Sequence, residues 1–346
     1  MKLIRKRKLS DHQNRRIKTQ QQSNIELSSQ SLARGLVVTH YGRQFEVKLT
    51  ELPEVAMIQP DPIAGEPESF WLEPAIGEIW RCHARTNLEP VATGDEIRLS
   101  LDPNTGQGTI EAILPRRSAV MRPDRYHNLK PVAVNLDLML IVYAPLPVPS
   151  SELIDRYLVI AKVSELTPVL VLNKSDLIEE DQQARGWLDD YESLGFQTLI
   201  TSASGDLSEL EALIKGQTVV FLGQSGVGKS SLINTLEPLA AQRINQISDN
   251  SDLGQHTTTT SRLIDFNQGA LIDSPGVREY GVWHLKPEQI DLGFPEISEI
   301  AQHCRFRNCS HAKEPGCAVK AAVTAGEILE RRLLSYEKLR AEAVAF

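Results

Sequence analysis

Two kinds of hydrophobic pattern divide the chain from residue 31 onward. At first, short β-prone runs alternate with Gly, Pro and Asp turns, at 35–39, 44–49, 78–84, 95–101 and 109–114. Five short strands so spaced fit a Greek-key barrel of the OB type or another small β-barrel. From about residue 118 the apolar runs become continuous and amphipathic stretches separate them. Runs at 136–143, 168–172, 197–201, 218–222 and 270–272 read as buried strands, with helices at 152–164 and 181–194. Strand and helix in alternation predict a parallel sheet covered on both faces. Past residue 281 the strand signal fades into a Cys/His cluster and a helical tail with Leu329, Leu333 and Tyr336 on one face. Residues 1–30 are polar, lack periodicity and read as a disordered arm. The expected segments are therefore 1–30, 31–117, 118–282 and 283–346.

Composition narrows the class. A chain of 346 residues holds two or three domains, and 41% apolar with 24% charged residues is a globular profile. No apolar stretch approaches the roughly 20 residues that span a bilayer. The start Met1-Lys2-Leu3-Ile4-Arg5-Lys6-Arg7-Lys8 leads into no apolar core of a secretory signal. The expectation is a cytoplasmic monomer without a membrane partner. Residues 1–18 carry eight Lys/Arg against Asp11, a net of +7, so out of a total of −8 the other 328 residues carry −15. A basic arm on an acidic body is either a polyanion-docking tail or a solubilising one. Cys82 stands alone, whereas Cys304, Cys309 and Cys317 share a 14-residue window. In a reducing compartment such a cluster reads as metal-binding.

The candidate chemistry begins where the strand at 218–222 runs into Gly223-Gln224-Ser225-Gly226-Val227-Gly228-Lys229-Ser230-Ser231. Gly-x4-Gly-Lys-Ser after a strand and before a helix is the Walker A pattern in its required context. Its glycines let backbone N–H groups turn inward around phosphates, with the following helix pointing its positive end at them. Lys229 is expected to reach the β- and γ-phosphates, and the Ser230 hydroxyl to bind Mg²⁺. Asn173-Lys174-Ser175-Asp176 selects the base. A carboxylate accepts only, and guanine offers N1–H and N2–H₂ as a matching donor pair, whereas adenine presents an unprotonated N1. Lys174 would lay its stem along the base, and Asn173 would tie this loop to the phosphate loop. Ser202-Ala203 offers a backbone N–H for guanine O6. Asp273-Ser274-Pro275-Gly276 places Asp273 on Mg²⁺ through water and the Gly276 N–H on the γ-phosphate. Between the two phosphate motifs, Gly254-Gln255-His256-Thr257-Thr258 reads as a switch, with Thr257 or Thr258 completing the Mg²⁺ shell.

The order of these motifs is rotated. An ordinary GTPase runs Walker A, switch threonine, Asp-x-x-Gly, Asn-Lys-x-Asp and Ser-Ala; this chain starts with the last two and then runs the first three. A circular permutation preserves the site when the original ends are neighbours. Val277 stands where Ras-like enzymes carry the water-orienting Gln, so slow intrinsic hydrolysis and dependence on a partner are expected. His256 is the nearest substitute that could orient water, the alternative being a solvated loop histidine. Further on, Cys304-x4-Cys309-x-His311-x5-Cys317 supplies a complete tetrahedral Cys₃His set for one structural zinc, with Pro315-Gly316 as the turn before Cys317. His303 is a competing ligand, and Arg305, Arg307, Lys313 and Lys320 would form a basic knuckle for RNA phosphate.

On these residues the chain resembles the bacterial ribosome small subunit-dependent GTPase A family over about residues 31–340. The resemblance implies an N-terminal OB-type barrel, a circularly permuted α/β P-loop GTPase domain and a C-terminal, mostly helical zinc-binding domain. It also implies binding to the 30S ribosomal subunit through 16S rRNA, GTP hydrolysis stimulated by that subunit, and a role in its late maturation. A signalling GTPase acting on a protein effector is the competing expectation.

Overall fold

The computed structural model describes residues 31–55, 71–123, 128–177, 182–238, 261–273 and 281–344. The polar arm therefore lies outside the described residues. The chain forms two compact units, one from residues up to 91 together with 95–115, the other from 92–94 together with 116 onward.

In the first unit, residues alternate between core and solvent along β1 (Ala33–Tyr41), β2 (Gln44–Glu51), β3 (Ile79–Ala84), β4 (Glu96–Asp102) and β5 (Gln107–Ile113). They pair in the order β1-β2-β3-β5-β4, and β4 returns to pair antiparallel with β1. The result is a closed five-stranded barrel of the OB type. Val37, Val47, Trp80, Ile97, Leu99 and Ile110 fill it. Cys82 belongs to this core, and burial pushes its thiol up to about 12. It is a packing residue.

The second unit opens with an antiparallel hairpin, β6 (Ala119–Pro123) and β7 (Leu129–Val134), which the sequence pattern does not announce. Polar residues and Pro131 interrupt its apolar rhythm, as suits a two-stranded ribbon at the edge of a domain. A six-stranded sheet follows in the order β10-β9-β8-β11-β13-β12. Its members are β8 (Leu138–Tyr143), β9 (Thr167–Leu172), β10 (Gln197–Ile200), β11 (Thr218–Leu222), β12 (Arg262–Phe266) and β13 (Gly269–Asp273). All neighbours are parallel except β12 and β13. Every residue of β8 is buried, which is why these strands read as continuous apolar runs. β12 escapes the pattern because Asp265 breaks its run. It joins β13 through a two-residue turn, Asn267 and Gln268, both at positive φ (45° and 62°), as tight hairpins require.

Helices α1 (Ser151–Val163), α2 (Gln182–Ser193), α3 (Ser208–Ile214) and α4 (Lys229–Leu236) connect the strands. The Ser150 hydroxyl caps α1 by accepting from the Leu153 N–H at 3.3 Å. After residue 281 come four more helices, α5 (Pro287–Ile290), α6 (Pro295–Ala301), α7 (Ala318–Ala325) and α8 (Glu330–Val344). Leu329 corrects one expectation: it precedes α8 and is 37% exposed, while Leu333, Tyr336 and Leu339 form the buried stripe. Among the described residues, no helix is long and apolar enough to cross a membrane.

The residue that fixes α8 is charged. Arg332 is fully buried; its Nη1 donates to Asp155 Oδ1 on α1 (2.5 Å), and its Nε donates to Glu296 Oε1 on α6 (2.7 Å). Its Nη2 donates to the Gly293 carbonyl (2.8 Å), and the guanidinium lies 4.2 Å from the Phe294 ring centroid. Burial by itself would favour the neutral form, but the Asp155 and Glu296 carboxylates outweigh it and raise the Arg332 pKa. Removing one partner of a buried ion pair leaves the other charge uncompensated. Arg332→Ala is therefore expected to cost about 3–5 kcal/mol of stability, read as a lowered midpoint in urea titration of the full chain.

Candidate nucleotide site and metal cluster

Ligands of open α/β sheets sit beyond the carboxyl ends of the strands, where the strand order reverses. Four of the sequence motifs begin there. Asn173 follows β9, Ser202 lies just past β10, Gly223 follows β11, and Asp273 ends β13. Only β8 separates β9 from β11, so the base loop and the phosphate loop become neighbours although some 50 residues separate them in sequence.

Within the phosphate loop, Gly223, Gly226 and Gly228 all have positive φ (139°, 82° and 96°). Two of these positions also have no room for a side chain. A Cβ at Gly223 would stand 1.9 Å from the Val142 carbonyl oxygen, and one at Gly228 would stand 2.3 Å from Asn173 Nδ2. The loop turns on buried Val227 and delivers Lys229 to the first position of α4, with Ser230 and Ser231 exposed in the same turn. The Lys229 ammonium donates to the carbonyls of Gly223 (2.8 Å) and Gln224 (2.6 Å). Ser225 is exposed at the tip of the loop.

Asn173 joins the loops. Its side chain is buried; Nδ2 donates to the Val227 carbonyl (2.9 Å) and Oδ1 accepts from the Thr201 hydroxyl (3.2 Å). Its backbone N–H donates to the Tyr143 carbonyl at 2.8 Å. A carboxamide supplies a donor and an acceptor at once, where an aspartate could only accept. Lys174 takes a left-handed backbone (φ 59°) and donates to the Leu146 carbonyl at 2.8 Å. The Ser175 N–H donates to the Thr201 carbonyl (3.0 Å), opening a 3-10 turn over Ser175–Leu177. Asp176 accepts from the Ser202 hydroxyl at 3.0 Å, and the Ala203 carbonyl accepts from Thr235 of α4 at 3.1 Å. Asp273 is half-buried and pairs in register with Arg262. His256, Thr257, Thr258 and Gly276, like Val277, lie outside the described residues.

A second constellation lies between α6 and α7. The ligand atoms of Cys304, Cys309, His311 and Cys317 all fall within 4.8 Å of one another. His311 Nδ1 is 3.6 Å from Cys304 Sγ and 3.5 Å from Cys317 Sγ. Local backbone makes this convergence: His311 adopts φ 62°, Gly316 φ 74°, and Cys317 caps α7. Glu314 accepts from the Ser310 N–H (2.9 Å) and hydroxyl (2.5 Å), and these bonds hold its carboxyl down to about 2. Burial lowers the pKa of His311, leaving the neutral ring a metal needs. Burial, then the neighbouring Cys317 and Cys304 thiols, push Cys309 up to about 11 despite a backbone donor at His311. Three sulfurs and one imidazole nitrogen converging at this spacing are a donor set that fits a divalent metal. His303 is exposed and outside the group, which removes it as a competing ligand. Arg305, Arg307, Lys313 and Lys320 are exposed around the cluster, although Lys320 also donates to the Ala312 carbonyl.

A parallel sheet whose base-loop strands precede its phosphate-loop strand in the chain and lie together on one side of it is the arrangement of a circularly permuted P-loop GTPase. The chain belongs to the RsgA GTPase family, whose sequence model matches residues 113–283. A small ribosomal subunit biogenesis GTPase RsgA of Alcanivorax borkumensis is 43% identical over 312 residues, covering 88% of this chain and 83% of that protein. The crystal structure of YjeQ from Thermotoga maritima matches with a TM-score of 0.66 at 29% identity, covering 91% of this chain and 99% of the other. YloQ, described as a circularly permuted GTPase, matches with a TM-score of 0.62 at 26% identity, covering 90% and 95%.

Gly228→Ala tests the junction of the two loops. A left-handed non-glycine residue costs about 1–2 kcal/mol, and the new Cβ also displaces Asn173 from Val227. A loss of stability of at least that size is expected in denaturant titrations of the nucleotide-free protein.

Proposed function

We propose that this chain is a GTP hydrolase of small-subunit ribosome biogenesis that binds the 30S subunit through 16S rRNA and leaves it on hydrolysis. The observation that carries the reading is the buried Asn173 bridge, which puts a guanine-type loop and a Walker A loop at one strand-end crevice. Family membership supports hydrolysis as the reaction.

In this reading the base lies on the Lys174 stem. Asp176, steered by Ser202, accepts guanine N1–H and N2–H₂, and the Ala203 N–H meets O6. Backbone N–H groups from Gly223 to Ser231 surround the phosphates. Lys229 exchanges the Gly223 and Gln224 carbonyls for phosphate oxygens. Ser230, Asp273 through water, and Thr257 or Thr258 would hold Mg²⁺, which would neutralise charge on the phosphates, and the Gly276 N–H would meet the γ-phosphate. His256 orients water in place of the missing glutamine. Cys304, Cys309, His311 and Cys317 hold one structural zinc, because three thiolates and an imidazole leave no open coordination position.

The domain division that goes with this is a basic arm (1–30), an OB RNA-binding domain (31–117), the permuted GTPase domain (118–282) and a zinc-binding domain (283–346). The barrel and the exposed arginines and lysines of the zinc knuckle supply two grips on rRNA. The protein works in the cytoplasm as a monomer.

GTP turnover with and without purified 30S subunits, at two salt concentrations, tests the central claim. Strong stimulation that falls as salt rises is expected from phosphate contacts, and equal turnover in both conditions refutes ribosome dependence. Asp176→Asn is expected to shift preference from GTP toward xanthosine triphosphate; unchanged selectivity would remove the base assignment. One zinc per chain is expected on metal analysis, with Cys309→Ser reducing it.

A further inference from the structure

Asn173 is also one end of a longer chain of contacts. Its N–H donates to the carbonyl of Tyr143, the last residue of β8. The buried Tyr143 hydroxyl donates to the Ala184 carbonyl on α2 at 3.2 Å. Two turns further along α2, fully buried Tyr191 donates to Asp155 Oδ1 on α1 at 2.5 Å and accepts from Arg331 Nη1 on α8 at 3.1 Å. Arg331 Nη2 pairs with Asp190 on α2 at 2.9 Å, while Arg332 takes the same Asp155 oxygen. Two consecutive arginines at the start of the C-terminal helix thus grip α1 and α2 together.

Those two helices frame the base loop. The connection leading into α1 contains Leu146, whose carbonyl accepts the Lys174 ammonium. α2 is the first helix after the turn that carries Asp176. α8 rests on this pair through charged contacts. Asp155 is fully buried with Oδ2 lacking a hydrogen-bond partner, so its charge leans on Oδ1 alone, where both Tyr191 and Arg332 converge. Drawing Arg332 away would leave the buried Asp155 carboxylate still less satisfied, so the placement of α8 is coupled to that of α1 and α2.

We propose that Arg331 and Arg332 are positioning residues for guanine-nucleotide binding: the seating of α8 on α1 and α2 sets the nucleotide affinity of the loop at 173–176. The inference rests on the nucleotide reading above. Linkage makes the effect reciprocal, so bound nucleotide must hold α8 down as strongly as α8 favours nucleotide. A macromolecule that pulls on the C-terminal helix would then loosen nucleotide without touching the pocket.

The test uses the full chain carrying Tyr191→Phe, which keeps the ring and removes the hydroxyl shared by Arg331 and Asp155. Fluorescent GDP is expected to bind about 5- to 20-fold more weakly, within the usual span of coupling factors. In the wild-type chain, saturating GDP is expected to slow amide exchange along α8, and in Tyr191→Phe that protection should disappear. Arg331→Lys, which keeps the charge but loses the two-pronged grip, should give the same pair of changes if Tyr191→Phe folds poorly. GDP binding within twofold of wild type in the folded variants, or α8 exchange indifferent to GDP in the wild type, overturns the proposal. Wild-type protein that binds no guanine nucleotide would instead overturn the functional reading beneath it.

Discussion

One buried carboxamide holds the nucleotide end of this molecule together. Asn173 donates to the phosphate loop at Val227, accepts from Thr201 beyond β10, and is pinned through its backbone to Tyr143. Three strand-end loops therefore share one group that water cannot reach, and none can shift without leaving a buried polar atom unpaired. The glycine at 228 follows from this demand, since any side chain there would occupy the space of the Asn173 amide. What looks like two motifs in the sequence is mechanically one object.

Permutation gains its meaning from the same arrangement. The sheet places β8 and β9 on one side of β11 and β13 on the other, so the chain can be cut elsewhere without disturbing the crevice. Moving the ends leaves Asp273 close in sequence to the helical C-terminal region. That region is bound to α1 and α2 by Arg331 and Arg332 through ion pairs, not by an apolar seam alone. Unseating α8 would leave the Arg332 guanidinium without Asp155, Glu296 and the Gly293 carbonyl, and the two carboxylates without their counter-charge.

The legibility of the sequence followed the physics of burial. β8 and β11 were plain because strands covered on both faces are continuously apolar, and the barrel strands because alternation marks a half-buried surface. β12 was hidden by Asp265 and by a turn of Asn and Gln, where the usual signal is Asn-Gly. The β6–β7 ribbon was hidden by its polar residues and Pro131. The glycine-rich loop at 223–228 and the Asn-Lys-x-Asp loop at 173–176 stood out by their fixed spacing, and both lie at the ends of strands. The Tyr143–Tyr191–Asp155–Arg332 network did not, because a charged residue in a helix usually marks a solvated face. Arg332 would have betrayed itself only by falling on the same face as Leu333, Tyr336 and Leu339.

The hold of Lys229 on Gly223 and Gln224 has a consequence for how the crevice fills. The ammonium is not bare: two carbonyl oxygens of its own loop accept from it. Under the proposed reading, an arriving phosphate would exchange its oxygens for these carbonyls. On that reading the loop is wound around its own lysine by backbone carbonyls, and a ligand would inherit a turn that the chain has already closed.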